Sequence, residues 1–297
     1  MKKLAPVFVL SAGTLWGLMG IFVRKLGTYG FSSLQIACLR ILFGAALFLM
    51  ITGCYRRELL KIRLRDVGLF LGMGFLSLLL FTVCYFTTIS MASLSAAAIL
   101  LYTSPIWVML MSLVCFQESL TRRKVLCAAM AFGGCVLVSG IGSGSHFSPM
   151  VIATGLLSAV GYGLYSIFGT FALRKYPPLT VTTYAFLFGA AGALFLCNPV
   201  STVRVVCEAA HPTALVLLLI VTAFVTAVLP YLLYTVGLSH MRASTAAIMA
   251  SIEPVVATAA GAAVFHEVLT LPALLGIALV LAAIVVLNAR DVSCGND

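Results

Sequence analysis

Ser95-Ala-Ala-Ala-Ile99, Pro105 and Phe116-Gln-Glu118-Ser-Leu120-Thr121 recur as Ser244-Thr-Ala-Ala-Ile248, Pro254 and Phe265-His-Glu267-Val-Leu269-Thr270. The offset is 149 residues at each of Ser95/Ser244, Pro105/Pro254, Glu118/Glu267 and Thr121/Thr270, and Tyr85/Tyr234 keeps it too. Ala and Leu align by chance in any apolar sequence. A Ser, a Pro, a Glu and a Thr held in fixed register do not, so the chain is an internal duplication of half its own length.

Composition says what solvent the two halves meet. Of 297 residues, 62% are hydrophobic and 9% are charged, and the mean hydropathy is +1.16. A soluble domain carries about 25% charged residues, so this chain cannot cover itself with polar groups. It reads as an all-α integral membrane protein. Met1-Lys-Lys gives a positive flank, but the apolar run behind it is too long for a signal peptide and has no clear cleavage site. Nine cysteines are scattered without a Cys-x-x-Cys pair, and most sit in apolar segments where a thiol acts as a small hydrophobe. Neither a disulfide framework, a metal site nor a cofactor is expected.

A bilayer-spanning helix needs about 20 apolar residues. Runs of that kind predict ten spans: Leu4–Val23, Ser32–Thr52, Val67–Ile89, Leu94–Phe116, Val125–Ile141, Met150–Leu173, Thr180–Cys197, Thr213–Leu238, Ala243–Phe265 and Pro272–Leu287. The two repeats are then 1–141 and 150–290, joined by Gly142-Ser-Gly-Ser-His146. That Gly/Ser stretch lacks the Lys and the strand–helix setting of a phosphate loop.

Placing the N-terminus in the cytoplasm puts fourteen of the 18 Lys and Arg residues on the cytoplasmic side. Arg24, Lys25 and Arg204 fall outside, and Arg40 lies within a span. This asymmetry predicts a multi-pass protein of the cytoplasmic membrane with both termini inside. It also accounts for the net charge of +10 without a nucleic-acid partner. Five spans separate each element from its copy, and five is odd, so the halves are expected to be inverted. Inverted halves supply two equivalent packings and hence alternating access; the plainer reading is a duplication kept for bundle stability alone.

The order of local motifs carries a family likeness. Leu15-Trp16-Gly17 lies in the first span and Cys38-Leu39-Arg40 in the second. Tyr102-Thr-Ser-Pro105-Ile and Glu118-Ser-Leu-Thr121 follow in the first half, then Glu253-Pro254-Val255 and Glu267-Val-Leu-Thr270 in the second. Together they resemble an EamA-type member of the drug/metabolite transporter superfamily over nearly the full chain. The resemblance implies a non-enzymatic exporter of amino acids, related metabolites or drugs, with a central cavity between the halves.

Glu253 is the most informative single residue, since a carboxylate this deep in a span faces a cavity or a partner. On a continuous helix its neighbours are Ala246, Met249, Ala250 and Ala257, small side chains that allow close approach. Pro254 frees a carbonyl one turn earlier. The functional reading is contact with a substrate amine or carriage of a proton; the plain one is a hydrogen-bonded acid that holds the bundle together. Arg40 is read as snorkelling, pairing with an acid or meeting a substrate carboxylate, and the family resemblance favours a structural role. Trp16, Tyr85, Tyr102, Tyr162, Tyr231 and Tyr234 offer apolar rings, most with a polar tip, suited to a solute pocket, although each singly is as well explained by packing. Ser251, the repeat counterpart of Tyr102, completes the candidate substrate-binding set of Trp16, Arg40, Tyr85, Tyr102, Tyr162, Tyr234, Ser251 and Glu253. Glu118 and Glu267, beside Thr121 and Thr270, read as helix caps. A passive channel of the same fold stands as the alternative to a carrier, and proton coupling stands beside facilitated diffusion. Oligomeric state leaves no mark in the sequence.

Overall fold

A computed structural model describes residues 2–139 and 148–288. The Gly142-Ser-Gly-Ser-His146 linker and Arg290 lie outside these residues. The described chain is helical without strands, and nine of its helices are long and apolar enough to cross a membrane.

The first span is Ala5–Gly27, built from α1 (Ala5–Gly17) and α2 (Met19–Gly27), and the second is α3 (Ser33–Tyr55). Ser32 opens α3 with a reciprocal capping box: its hydroxyl accepts the Gln35 N–H while the Gln35 amide accepts the Ser32 N–H. The third span contains α4 (Val67–Leu71), a π-helical segment Gly72–Leu79 and α5 (Leu80–Met91). The fourth is α6 (Leu94–Leu101) and α7 (Ser104–Phe116), followed by α8 (Arg122–Ser139). The second half runs α9 (Pro149–Leu173), α10 (Pro178–Leu196), a short surface helix α11 (Pro199–Glu208), and α12 (Pro212–Ala223) with a π-helical segment Phe224–Val228 and α13 (Leu229–Leu238). It ends with α14 (Ala243–Ala250), α15 (Glu253–Phe265) and α16 (Leu271–Asn288).

Arg24 and Lys25 were expected in a loop; instead they form the last turn of α2, where cations offset the negative end of the helix dipole. Helix α8 falls outside the nine because Arg122, Arg123 and Lys124 form its first turn.

The duplication is written into the backbone irregularities. Residues 102–103 interrupt α6 and α7, and residues 251–252 interrupt α14 and α15, again 149 apart. The cause is the same in each copy: Pro105 and Pro254 sit at the second position of the new helix, where a missing N–H is harmless, and break the ladder behind them. The small-residue face expected around Glu253 is therefore not one helical stripe. Ala246, Met249 and Ala250 belong to α14, whereas Glu253 begins α15. The π-helical segments also correspond between halves. Helices α3 and α10, which are counterparts, pack on each other, as do the counterparts α8 and α16. In the second pair, a Cβ on Gly134 would lie 2.7 Å from the Gly276 carbonyl, and one on Gly276 would lie 2.5 Å from the Gly134 carbonyl. Only glycines permit that approach.

Candidate functional site

Three cavities of about 60, 20 and 10 Å³ adjoin one another around Tyr162, which lines all three. The largest is lined from both halves, chiefly by Trp16, Arg40, Phe81, Tyr85, Tyr162 and Glu253. A water-sized sphere needs about 10–15 Å³, so it has room for a handful of waters or a small polar group.

Glu253 reaches this cavity because α1 comes very close to α15. A Cβ on Gly17 would lie 2.6 Å from the Glu253 carbonyl oxygen, and one on Gly13 would lie 2.5 Å from Ile252 Cγ2. The two glycines, four apart on one face, form the groove into which the α14–α15 break docks. Trp16, beside Gly17, is thereby set against the cavity near Glu253. The Glu253 carboxylate accepts one long hydrogen bond, from the Tyr162 hydroxyl to Oε2 at 3.4 Å. Both residues face the cavity.

Arg40 lines the same cavity, and it is held by the π-helical segment of the opposite half. Its Nε donates to Thr226 Oγ1 and its second terminal nitrogen to the Thr226 carbonyl, each at 2.8 Å. That carbonyl is available because its α-helical partner four residues on is Pro230, which has no N–H. Two of the five guanidinium donors are thus used for orientation. No ion pair within 4.0 Å joins Arg40 to Glu253 among the described residues.

Aromatic rings wall the space. Phe81 stacks on Tyr85 at 5.5 Å between centroids and meets Tyr162 edge-on at 5.4 Å. Trp16 meets Tyr162 at 6.2 Å and Tyr231 at 5.1 Å, and Tyr231 meets Phe186 at 5.0 Å. Such a box presents ring faces to a cation and apolar surface to its substituents.

The eight residues singled out from sequence all border these cavities, but not one common wall. Trp16, Arg40, Tyr85, Tyr162 and Glu253 line the largest. Tyr234 lines the second with Trp16, Tyr162, Tyr165 and Ser166, and its hydroxyl hydrogen-bonds Ser166 at 2.7 Å. Tyr102 and Ser251 lie at the two helix breaks and line the third, which shares Tyr162 and Glu253 with the first. Trp16 comes from the first, Tyr85 from the third and Glu253 from the ninth of the ten predicted spans. The second span contributes Ala37 and Ile41 besides Arg40, and Phe81, Phe86 and Phe186 complete the wall. These Phe residues carry no signal in the sequence, where they look like any other lipid-facing ring.

Glu118 caps a helix, although not the one that follows it, and Glu267 caps none among the described residues. The following helices α8 and α16 are capped by Thr121 Oγ1 on the Lys124 N–H at 3.3 Å and Thr270 Oγ1 on the Ala273 N–H at 3.4 Å. The carboxylates point elsewhere: Glu118 to the start of α14, Glu267 to Arg24.

The sequence profile of the EamA-like transporter family matches residues 3–140 and again residues 149–289. The chain belongs to the EamA-like transporter family. It is 28% identical over 286 residues to an uncharacterized transporter of Archaeoglobus fulgidus, covering 94% of this chain and 93% of that one. It is 26% identical over 235 residues to the uncharacterized transporter YyaM of Bacillus subtilis, covering 76% and 75%. A solved crystal structure superposes with a TM-score of 0.81 over 100% of both chains at 17% identity, a likeness of fold alone. This EamA-family chain is accordingly a multi-pass membrane transporter that handles a small-molecule solute in a lipid bilayer.

Proposed function

We propose that the protein is a secondary transporter that exports small amines or amino acids across the cytoplasmic membrane by alternating access. In this reading α8 is a tenth span, residues 1–141 and 150–290 are inverted five-helix repeats, and both termini face the cytoplasm. The fourteen-to-three bias of basic residues supports that orientation.

The observation that carries the reading is the meeting of Glu253 and Arg40 in one aromatic-walled cavity at the junction of the two halves. Glu253 attracts an ammonium group, the rings of Trp16, Tyr85 and Tyr162 stabilise the same cation, and the unused N–H groups of Arg40 donate to a carboxylate. A zwitterion satisfies both ends; a simple amine satisfies one. Tyr102, Ser251 and Tyr234 extend the path away from this site through the two smaller cavities. Glu253 holds either a proton or the solute amine, and that competition at one carboxylate is a direct route to proton/solute antiport.

Glu253→Gln retains size and hydrogen bonding but cannot titrate. In inverted vesicles, accumulation driven by a pH gradient is expected to be lost while exchange of labelled for unlabelled solute persists. Unchanged proton-driven accumulation would remove Glu253 from the coupling step.

A further inference from the structure

The ends of α7 and α15 are built alike but engaged differently. Each finishes in a left-handed residue, Gln117 with φ 54° and His266 with φ 56°. In each, the following glutamate N–H returns to the helix, Glu118 to the Ser112 carbonyl at 3.3 Å and Glu267 to the Gly261 carbonyl at 3.4 Å. The backbone therefore presents the two carboxylates in equivalent ways.

Glu118 crosses to the other repeat. Its Oε1 accepts the Ala243 N–H at 3.2 Å, and its Oε2 accepts the Ser244 hydroxyl. Lys124 Nζ closes the cluster, 3.3 Å from Glu118 Oε2 and 2.8 Å from Ser244 Oγ. The ion pair is almost buried, with side-chain exposures of 10% for Glu118 and 9% for Lys124. Arg242 gives α14 no side-chain cap, so this helix takes its cap from the first half of the chain. Helices α7 and α14 pack against each other at this face.

The counterparts of Ala243 and Ser244 are Leu94 and Ser95 at the start of α6. Glu267 does not bind them. It pairs with Arg24 at 2.5 Å in an exposed position, and α6 and α15 do not pack as α7 and α14 do. Arg24 also lies over the Phe265 ring, at 4.3 Å, as Arg174 lies over the counterpart Phe116 ring, at 5.3 Å.

We propose that Glu118 and Glu267 are reciprocal latches of the transport cycle. This rests on the alternating-access reading above. In the present state the Glu118 latch is shut and closes the face that bears α14's N-terminus. In the opposite state Glu118 releases Ser244 and turns to Arg174, while Glu267 leaves Arg24 and joins the Ser93 cap of α6 by accepting from the Leu94 N–H and the Ser95 hydroxyl. The latches are unequal, because the counterpart of Lys124 is Ala273. The state seen here is the favoured one.

Two cysteine pairs in the full-length, reconstituted protein test this, with Cys294 and the exposed Cys54, Cys115 and Cys207 replaced by Ser. Glu118→Cys with Ser244→Cys is expected to cross-link without solute and to arrest exchange until reduced. Ser95→Cys with Glu267→Cys is expected to cross-link in a minor fraction, increased about tenfold by adding Ser244→Ala, which removes a hydrogen bond to a charged group. An undetectable second cross-link in both backgrounds, with exchange intact, overturns the latch and spares alternating access. Both cross-links formed in the same molecules with exchange continuing overturns alternating access itself.

A gentler pair of variants covers misfolding of the double cysteines. With a reporter Phe86→Cys in the cavity wall, Ser244→Ala is expected to slow labelling by an impermeant maleimide added to the Arg24–Glu267 face, and Ser95→Ala to leave it equal or faster. Equal slowing by both variants assigns the serines a common structural role and refutes the proposal.

Discussion

Gly17→Ala places one methyl group where α1 meets the backbone of α15. The added Cβ would lie 2.6 Å from the Glu253 carbonyl oxygen, 2.7 Å from Val256 Cβ and 3.0 Å from the Ala257 nitrogen. A relaxed carbon-to-oxygen contact is about 3.3–3.6 Å, so the helices must separate by roughly 0.7 Å or more. Two of the three neighbours are backbone atoms, which no rotamer change can move aside. Overpacking of this kind costs about 1–3 kcal/mol, offset in part by the 0.5–1 kcal/mol or so that Ala gains over Gly in a helix. A net loss of roughly 1 kcal/mol, and at most about 2.5, remains. Gly20→Ala is the control, since nothing lies within 4 Å of its added Cβ and only the helical gain applies. Gly13→Ala falls between, because its shortest contact is a side-chain methyl, Ile252 Cγ2 at 2.5 Å, and its nearest backbone atom, the Ala250 carbonyl oxygen, lies farther off at 3.1 Å. Thermal unfolding in detergent should rank the variants Gly17→Ala, Gly13→Ala, Gly20→Ala from least to most stable. The same displacement parts Trp16 from Glu253, so Gly17→Ala should also raise KM for the solute several-fold. A Gly17→Ala protein as stable and as active as Gly20→Ala would refute the close approach of α1 to Glu253 and the placement of the site that depends on it.

Thr226→Val removes the acceptor of the Arg40 Nε hydrogen bond and keeps the carbonyl that holds the second nitrogen. KM should rise for solutes that bear a carboxylate and stay level for the matching amines without one; equal rises would show that Arg40 does not read a carboxylate. Reporter fusions after Lys61 and after Arg204 should report opposite sides of the membrane, and the same side for both would end the proposed topology.

The duplication was legible because its marks are chemically distinctive. Pro105 and Pro254 break their helices for a reason that sequence states outright, and the breaks fall where the prolines require. Glu253 and Arg40 were legible as costly groups at membrane depth, and the structure brings them to one cavity. What sequence could not state was which rings turn inward. Phe81, Phe86 and Phe186 have the same composition-level signal as the exposed Phe75 and Phe195, and helices apolar on every side give no amphipathic stripe to read. The partners of Glu118 escaped for another reason. A cap supplied to α14 from 125 residues away is a tertiary contact, and the nearby Thr121 already answered the local question.

A symmetric scaffold here carries an asymmetric site. The counterpart of Glu253 is Ser104, and the counterpart of Arg40 is Gly189, whose absent side chain lets Ile41 and Leu78 pack against the backbone of α10. Each of these two charges therefore has no charged counterpart, so in the proposed reading the repeat supplies one solute site and not two. The elements that do repeat are the backbone devices: the Pro breaks, the π-helical segments, and the left-handed ends before Glu118 and Glu267. Devices that must work in two related packings need to be present in both halves. A group that binds one solute in the centre needs to be present only once, provided both states reach it. In the proposed cycle Glu253 is such a group: it stands at the start of α15 beside the break, where it borders the first and third cavities together.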